Sequence, residues 1–101
     1  MGFKIVEKGD VTLIEVGSQL IVGNRQLLKE QVLDRLERGD RKFIVDFSKT
    51  DYIDSSGLGV LLTLSKKIRE QGGQLSLVSL SEDLRTLFEL TKLDTLFIFS
   101  D

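Results

Sequence analysis

The chain contains no cysteine, no histidine, no tryptophan and no proline. Without Cys or His it lacks thiolate and imidazole metal ligands, disulfide staples, a Cys nucleophile and the side chain that most often serves as general base near neutral pH. Most familiar catalytic constellations are thereby excluded, and the expectation is a non-enzyme with no metal and no cofactor of its own. Without proline the elements run on uninterrupted, and the nine glycines fall mostly between periodic segments, so short turns are expected and no linker. No internal repeat or low-complexity tract is present. Charge of one sign is also scarce: 14 Lys plus Arg against 16 Asp plus Glu leave −2, without a long run of either. That is not the pattern of a phosphate-backbone grip, so nucleic acid is not an expected partner. No apolar run approaches the roughly 20 residues that span a bilayer, and Met1-Gly2-Phe3-Lys4-Ile5 lacks the apolar core of a signal peptide. A cytoplasmic protein without direct membrane insertion is expected.

What is present is a well-patterned 101-residue chain, 41% hydrophobic and 30% charged, the size of one domain covering residues 1–101. Residues 3–6 and 11–16 are short β-branched runs separated by Lys8-Gly9-Asp10, which reads as a hairpin. From Asn24, a candidate N-cap, Leu28, Val32 and Leu36 recur with helical period, with Leu27 and Leu33 alongside, until Arg38-Gly39. Residues 43–47 form a mostly apolar strand of the kind found in the middle of a sheet. A second helical pattern places Leu58, Leu61, Leu62, Ser65 and Ile68 on one face and stops at Gln71-Gly72-Gly73. Residues 74–79 read as a strand. Ser81 caps a third helix carrying Leu84, Leu87, Phe88 and Leu90, and residues 96–99 close the chain as a strand. The order ββαβαβαβ predicts an α/β domain with a mixed, mostly parallel sheet, its opening hairpin adding an antiparallel member at an edge.

The densest segment, Asp51-Tyr52-Ile53-Asp54-Ser55-Ser56-Gly57-Leu58-Gly59-Val60, joins the expected central strand to the second helix, a junction where α/β proteins tend to build sites. Asp54 fits an N-cap, which puts Ser55 and Ser56 in the first helical turn. Gly57 and Gly59 leave that turn bare. The bland account is a capped helix whose glycines permit close helix–strand packing; the functional one is a shelf presenting the Ser55 hydroxyl to a partner. A Walker A loop is absent because no Lys stands in the required relation to either glycine, and Leu62 occupies the third glycine position of a dinucleotide fingerprint. A serine hydrolase would need a base that a His-free chain does not supply in the usual way.

Residues 43–60, FIVDFSKTDYIDSSGLGV, resemble the signature of the STAS domain, the family of bacterial anti-sigma factor antagonists. The likeness extends through Gly72-Gly73 and the closing LRTLFELTKLDTL (residues 84–96), and the Asp-Ser-Ser-Gly-Leu-Gly core is highly specific. The resemblance implies a mixed sheet with helices packed against it. It also implies that Ser55 is phosphorylated by an anti-sigma factor serine kinase, a histidine-kinase-like ATPase. The unphosphorylated protein would bind that kinase and so release the sigma factor for transcription; a PP2C-type phosphatase would reverse the modification. Nucleotide and Mg²⁺ belong to the kinase. The partner-binding surface is expected around Ile53, Asp54, Ser55, Ser56, Gly57, Leu58 and Gly59.

One segment departs from the family pattern. Where many members carry a Gly-Glu-Leu-Asp-like run near the phosphorylatable serine, this chain has Val16-Gly17-Ser18-Gln19-Leu20-Ile21-Val22-Gly23. The Asp position falls on Ile21 and both local acids are missing, so Ile21 joins the expected interface, or Leu20, Ile21 and Val22 pack as core. A rival reading is an adaptor or structural subunit of a signalling scaffold or membrane transport complex, in which Ser55 does not switch. A third, an anion or nucleotide sensor, rests only on the general affinity of helix N-termini for negative charge. Lys66, Lys67 and Arg69 read as a solvated helix face, Phe88, Phe97 and Phe99 as core, and Tyr52 either flanks the switch loop or anchors it.

Overall fold

A computed structural model describes residues 3–100. Its first two strands, β1 (Lys4–Lys8) and β2 (Val11–Glu15), form the expected hairpin around Gly9-Asp10. Gly9 sits at φ +63°, the left-handed conformation that glycine adopts at no steric cost. The chain continues through β3 (Gln19–Leu20), α1 (Arg25–Glu37), β4 (Lys42–Asp46), β5 (Tyr52–Ile53), α2 (Ser55–Glu70), β6 (Gln74–Val78), α3 (Glu82–Leu90) and β7 (Ile98–Ser100). The order expected from the sequence holds, with two additions: β3 and β5 are two-residue strands that pair with each other. Pieces that short carry no readable period.

The main sheet has the order β1-β2-β4-β6-β7; β1 is antiparallel to β2 and every other pairing is parallel. From β2 onward the chain crosses the sheet in one direction only. Since crossovers between parallel strands are right-handed, α1, α2 and α3 fall on the same face. Burial follows this rule. Thr12 and Ile14, Phe43 and Val45, and Leu75 and Leu77 are in register on the helix side and all are buried, whereas Leu13 and Ile44 on the other side are half-buried.

The helices fill the space above that face. Leu28, Val32 and Leu36 of α1 recur every four residues and meet Leu61, Leu64 and Ile68 of α2 in one core. The polar member of the inner face, Thr12, donates its hydroxyl to Asp40 Oδ2 at 2.6 Å, tying β2 to the turn before β4. Phe88 on α3 lies edge-on to Phe97 and Phe99, with ring centroids 5.5 and 5.6 Å away; Phe88 and Phe97 are buried and Phe99 packs half-buried against the core.

Several details differ from the sequence reading. On α2, Val60 and Leu64 are buried while Leu62 is half-buried, because the helix also turns a flank toward α1. Leu90, assigned to the apolar face of α3, is its last residue and is 78% exposed. Asn24 does precede α1, but its side chain makes no cap. The last strand begins at Ile98, since Phe97 turns into the core.

These contrasts separate true core leucines from periodic ones. Leu64→Ala should cost about 2–5 kcal/mol in urea unfolding, as expected for deleting fully buried methyl groups. Leu90→Ala should change stability by about 0.5 kcal/mol or less. Comparable losses at both positions would contradict the packing described.

Candidate functional site

The site is built where the small parallel ladder meets the start of α2. Gln19 pairs with Tyr52 and Leu20 with Ile53. Hydrogen bonds extend the ladder at either end, from Asp51 N to Ser18 O at 2.8 Å and from Asp54 N to Leu20 O at 3.1 Å. Side chains alternate along such a ladder. Leu20 and Ile53 point inward and are buried, leaving Tyr52 exposed.

Asp54 then ends the ladder and starts the helix. Its backbone is extended, with φ −91° and ψ 179°, and its carboxylate accepts from two amides on different elements: Gly57 N at 2.8 Å and Val22 N at 3.0 Å. The first contact is the expected N-cap. The second holds the loop between β3 and α1 against the helix end. The Gly57 amide, with help from the Val22 and Ser56 amides and the positive charge of Arg25, holds the Asp54 carboxyl below the ordinary aspartate value despite partial desolvation. Asn24 shapes the same loop from the other side. Its Oδ1 accepts from Ile21 N at 2.8 Å and its Nδ2 donates to Gln19 O at 2.9 Å, which is why it is not free to cap α1.

The two glycines of the motif do different work. An ideal Cβ on Gly57 would lie 2.5 Å from the Leu20 carbonyl oxygen and 2.9 Å from Ile53 Cγ2, so Gly57 exists to let α2 close onto β3 and β5. Around Gly59 there is open space within 4 Å. Gly59 lies one turn beyond Ser55, at i+4, so the two share an exposed stripe of the helix. Glycine costs about 0.5–1 kcal/mol relative to alanine inside a helix, and nothing in the packing of this chain requires one at Gly59.

The expected interface therefore divides. Ser55 and Gly59 are exposed, and Asp54, Ser56 and Ile21 are half-buried. Ile53, Gly57 and Leu58 are buried within the chain, at 3% exposure for Ile53 and 8% for Leu58; they support the surface and do not form it. The sequence reading left two neighbours open between surface and packing. Val22, whose amide reaches Asp54, is 63% exposed, and Tyr52, on the ladder beside Ile53, is 56% exposed. Tyr52 stands two residues before Asp54, and Val22 falls in the segment of residues 16–23, but the letters alone do not distinguish core from surface. A groove of about 430 Å³ lined by Leu36, Arg41 and Lys67 shares no residue with this site. Among the described residues no cluster of acidic side chains could hold a metal ion, and no helix is long and apolar enough to cross a membrane.

The STAS domain family matches residues 3–101. A Thermotoga maritima protein named "putative anti-sigma factor antagonist" is 36% identical over 91% of this chain and 80% of its own length. The anti-sigma-B factor antagonist of Bacillus subtilis is 32% identical over 79% of this chain and 72% of its own. A Bordetella bronchiseptica relative, 31% identical, is matched over only 64% of its length. A crystal structure of a Thermotoga maritima protein of the same description superposes with a TM-score of 0.91 at 32% identity, covering 98% of this chain and 86% of the other. At 18% identity, unphosphorylated SpoIIAA shares the fold with a TM-score of 0.79, over 99% of this chain and 88% of its own. A sulfate transporter family protein from Wolinella succinogenes shares it at 20% identity and 0.79, over 93% and 80%. The fold and the Asp54–Gly59 motif define a STAS domain, and this chain belongs to the STAS-domain family. Within the family, relatives about a third identical carry the name anti-sigma factor antagonist.

Opposite signs are expected at the two glycines. Gly57→Ala should destabilise the fold, because the Leu20 backbone must move, while Gly59→Ala should stabilise it by about 0.5–1 kcal/mol; thermal melts of the two variants decide. Asp54→Asn retains an acceptor for one amide and loses the charge. A carboxyl held below its unfolded value of about 4 stabilises the fold above that pH, and the contribution is lost as pH falls through the folded value. The stability gap between wild type and Asp54→Asn in urea should thus be widest at neutral pH and close below about pH 4. A gap that persists unchanged in acid would assign it to geometry and not to charge.

Proposed function

We propose that this chain is an anti-sigma factor antagonist that works by partner switching, with Ser55 as the phosphoacceptor. The observation that carries the reading is the exposed stripe of α2 formed by Ser55 and Gly59, a hydroxyl above a glycine that the fold itself does not need. A bare helix turn below a serine admits the backbone of another protein to close range. In this reading the partner is an anti-sigma factor serine kinase of the histidine-kinase-like ATPase type, which supplies the nucleotide and Mg²⁺, and a PP2C-type phosphatase resets the switch. The chain itself is not an enzyme and acts in the cytoplasm. Asp54, Ser55, Ser56, Gly59 and Ile21 form the contact surface together with Val22 and Tyr52. The rim is apolar at Ile21 and Val22, where many family members have acid, so the matching partner surface should be apolar there.

The electrostatics of the helix end support a switch between molecules. Phosphate adds about −1.5 to −2 charges at neutral pH, which a helix N-terminus tolerates well. Arg25 contributes positive charge near Asp54. Phosphorylation should leave the fold intact and act on the docked partner through bulk and unpaired charge.

Ser55→Asp should accordingly keep the circular dichroism spectrum and shift Tm by no more than about 4 °C, while weakening kinase binding at least about tenfold, or ~1.4 kcal/mol. Ser55→Ala should bind as wild type, Gly59→Ala should bind less well although it is more stable, and Ser56→Ala should remain phosphorylatable. Capture of partners with wild-type, Ser55→Ala and Ser55→Asp baits provides the test. Retention of the same assembly by all three would replace the switch with the adaptor reading, and phosphate found only on Ser56 would overturn the site.

A further inference from the structure

All three helices lie on one side of the main sheet, and no described element lies on the other. Sheets dominated by parallel pairings are ordinarily covered on both faces. An apolar line crosses the uncovered face. The registers place Val6, Leu13, Ile44, Ser76 and Ile98 in one line across all five strands. Val6, Leu13 and Ile44 are half-buried by their neighbours and Ile98 is 47% exposed, with Ser76 sunk as a notch between the two isoleucines.

On either side of this apolar line run charged ones. One contains Lys8, Val11, Lys42 and Gln74, and the other contains Lys4, Glu15, Asp46, Val78 and Ser100. On the central strand the apolar line is thus flanked by a cation, Lys42, and an anion, Asp46. A half-turn about the apolar line lays Lys42 of one copy over Asp46 of a second copy, and the reverse, closing two ion pairs over a shared apolar strip. A half-turn about the strand direction would oppose lysine to lysine instead. At the sheet edge Lys4 already lies beside Glu15 of its own sheet, and the approach of Lys8 to the other copy's Lys4 falls at the wet rim, where salt screens it. Among the described residues Lys42 pairs with the exposed Asp10, at 3.2 Å, and it remains 62% exposed, open to re-pairing.

From this complementarity we infer that the helix-free face of the sheet is a self-association surface on which a second copy of this chain docks with two-fold symmetry, as sheets do when they stack about 10 Å apart. The strip measures about 20 by 16 Å, from four strand spacings and five residues. That is small against the roughly 800 Å² per partner of a standard interface, so the dimer should be weak and concentration-dependent, with Kd in the micromolar range. Ser55 lies on the helix side, and docking there leaves this face free.

Sedimentation velocity on the purified chain, from about 1 to about 500 µM, tests the inference. The wild type should shift from monomer to dimer across that range. Ile44→Lys and Lys42→Glu should each raise Kd about tenfold or more, and the charge exchange Lys42→Glu with Asp46→Lys should recover most of the loss. Circular dichroism checks folding; should Ile44→Lys fail to fold, the exposed Lys42→Glu and its exchange partner carry the test. A monomer throughout the range, or a dimer indifferent to Lys42→Glu, would overturn the inference and leave the face to water or to another protein.

Discussion

One carboxylate joins the parts of this protein that matter for its site. Asp54 accepts from Gly57 at the start of α2 and from Val22 in the loop before α1, so a helix end and a loop 32 residues distant share a single anchor. Without it the amides of the first turn of α2 would turn to water and the β3–α1 loop would lose its only side-chain tether to the helix among the described hydrogen bonds. The small β3–β5 ladder brings the two segments to the right distance, and the buried pair Leu20 and Ile53 gives that ladder a reason to form. The exposed Ser55 hydroxyl is therefore presented from a surface fixed on three sides, which is what a recognition element on a small domain requires.

The larger architecture follows from an equally simple constraint. A chain that lays parallel strands always in the same direction, with right-handed crossovers, must put every helix on one face. One core results, with Leu28, Val32 and Leu36 meeting Leu61, Leu64 and Ile68 above Phe43, Val45 and Phe47. The same constraint leaves the other face without a helix. Site and bare face are thus products of one topology but lie on opposite sides of the sheet, so selection can alter one without disturbing the other.

Much of this was legible in the letters. The period of Leu28, Val32 and Leu36, the caps at Asp54 and Ser81, and the apolar run ending at Phe47 carry strong local signals because each reflects a choice made within a few residues. The Asp-Ser-Ser-Gly-Leu-Gly motif marked the candidate site for the same reason. What stayed hidden depends on contacts across the chain. The pairing of β3 with β5 involves two residues on each side and leaves no pattern. Asn24 looks like a cap, yet its side chain is taken by Ile21 and Gln19. The two glycines of the motif are indistinguishable as letters; only the carbonyl of Leu20 beside Gly57 and the empty space beside Gly59 tell them apart. For Val22 and Tyr52 the question of burial was likewise decided by their neighbours.

The tight seat of Gly57 on the Leu20 carbonyl also has a temporal meaning. With no room for a methyl group between helix and ladder, the start of α2 is seated directly on the Leu20 backbone. Under the proposed switch, a phosphate at Ser55 would act through altered fit at this seated helix end. The response time of the proposed device would belong to its encounters: how fast a bound partner leaves, and how often an enzyme visits. Its delay would then be set by the concentrations and lifetimes of other molecules, and a change in tempo could evolve without a change in this chain's interior.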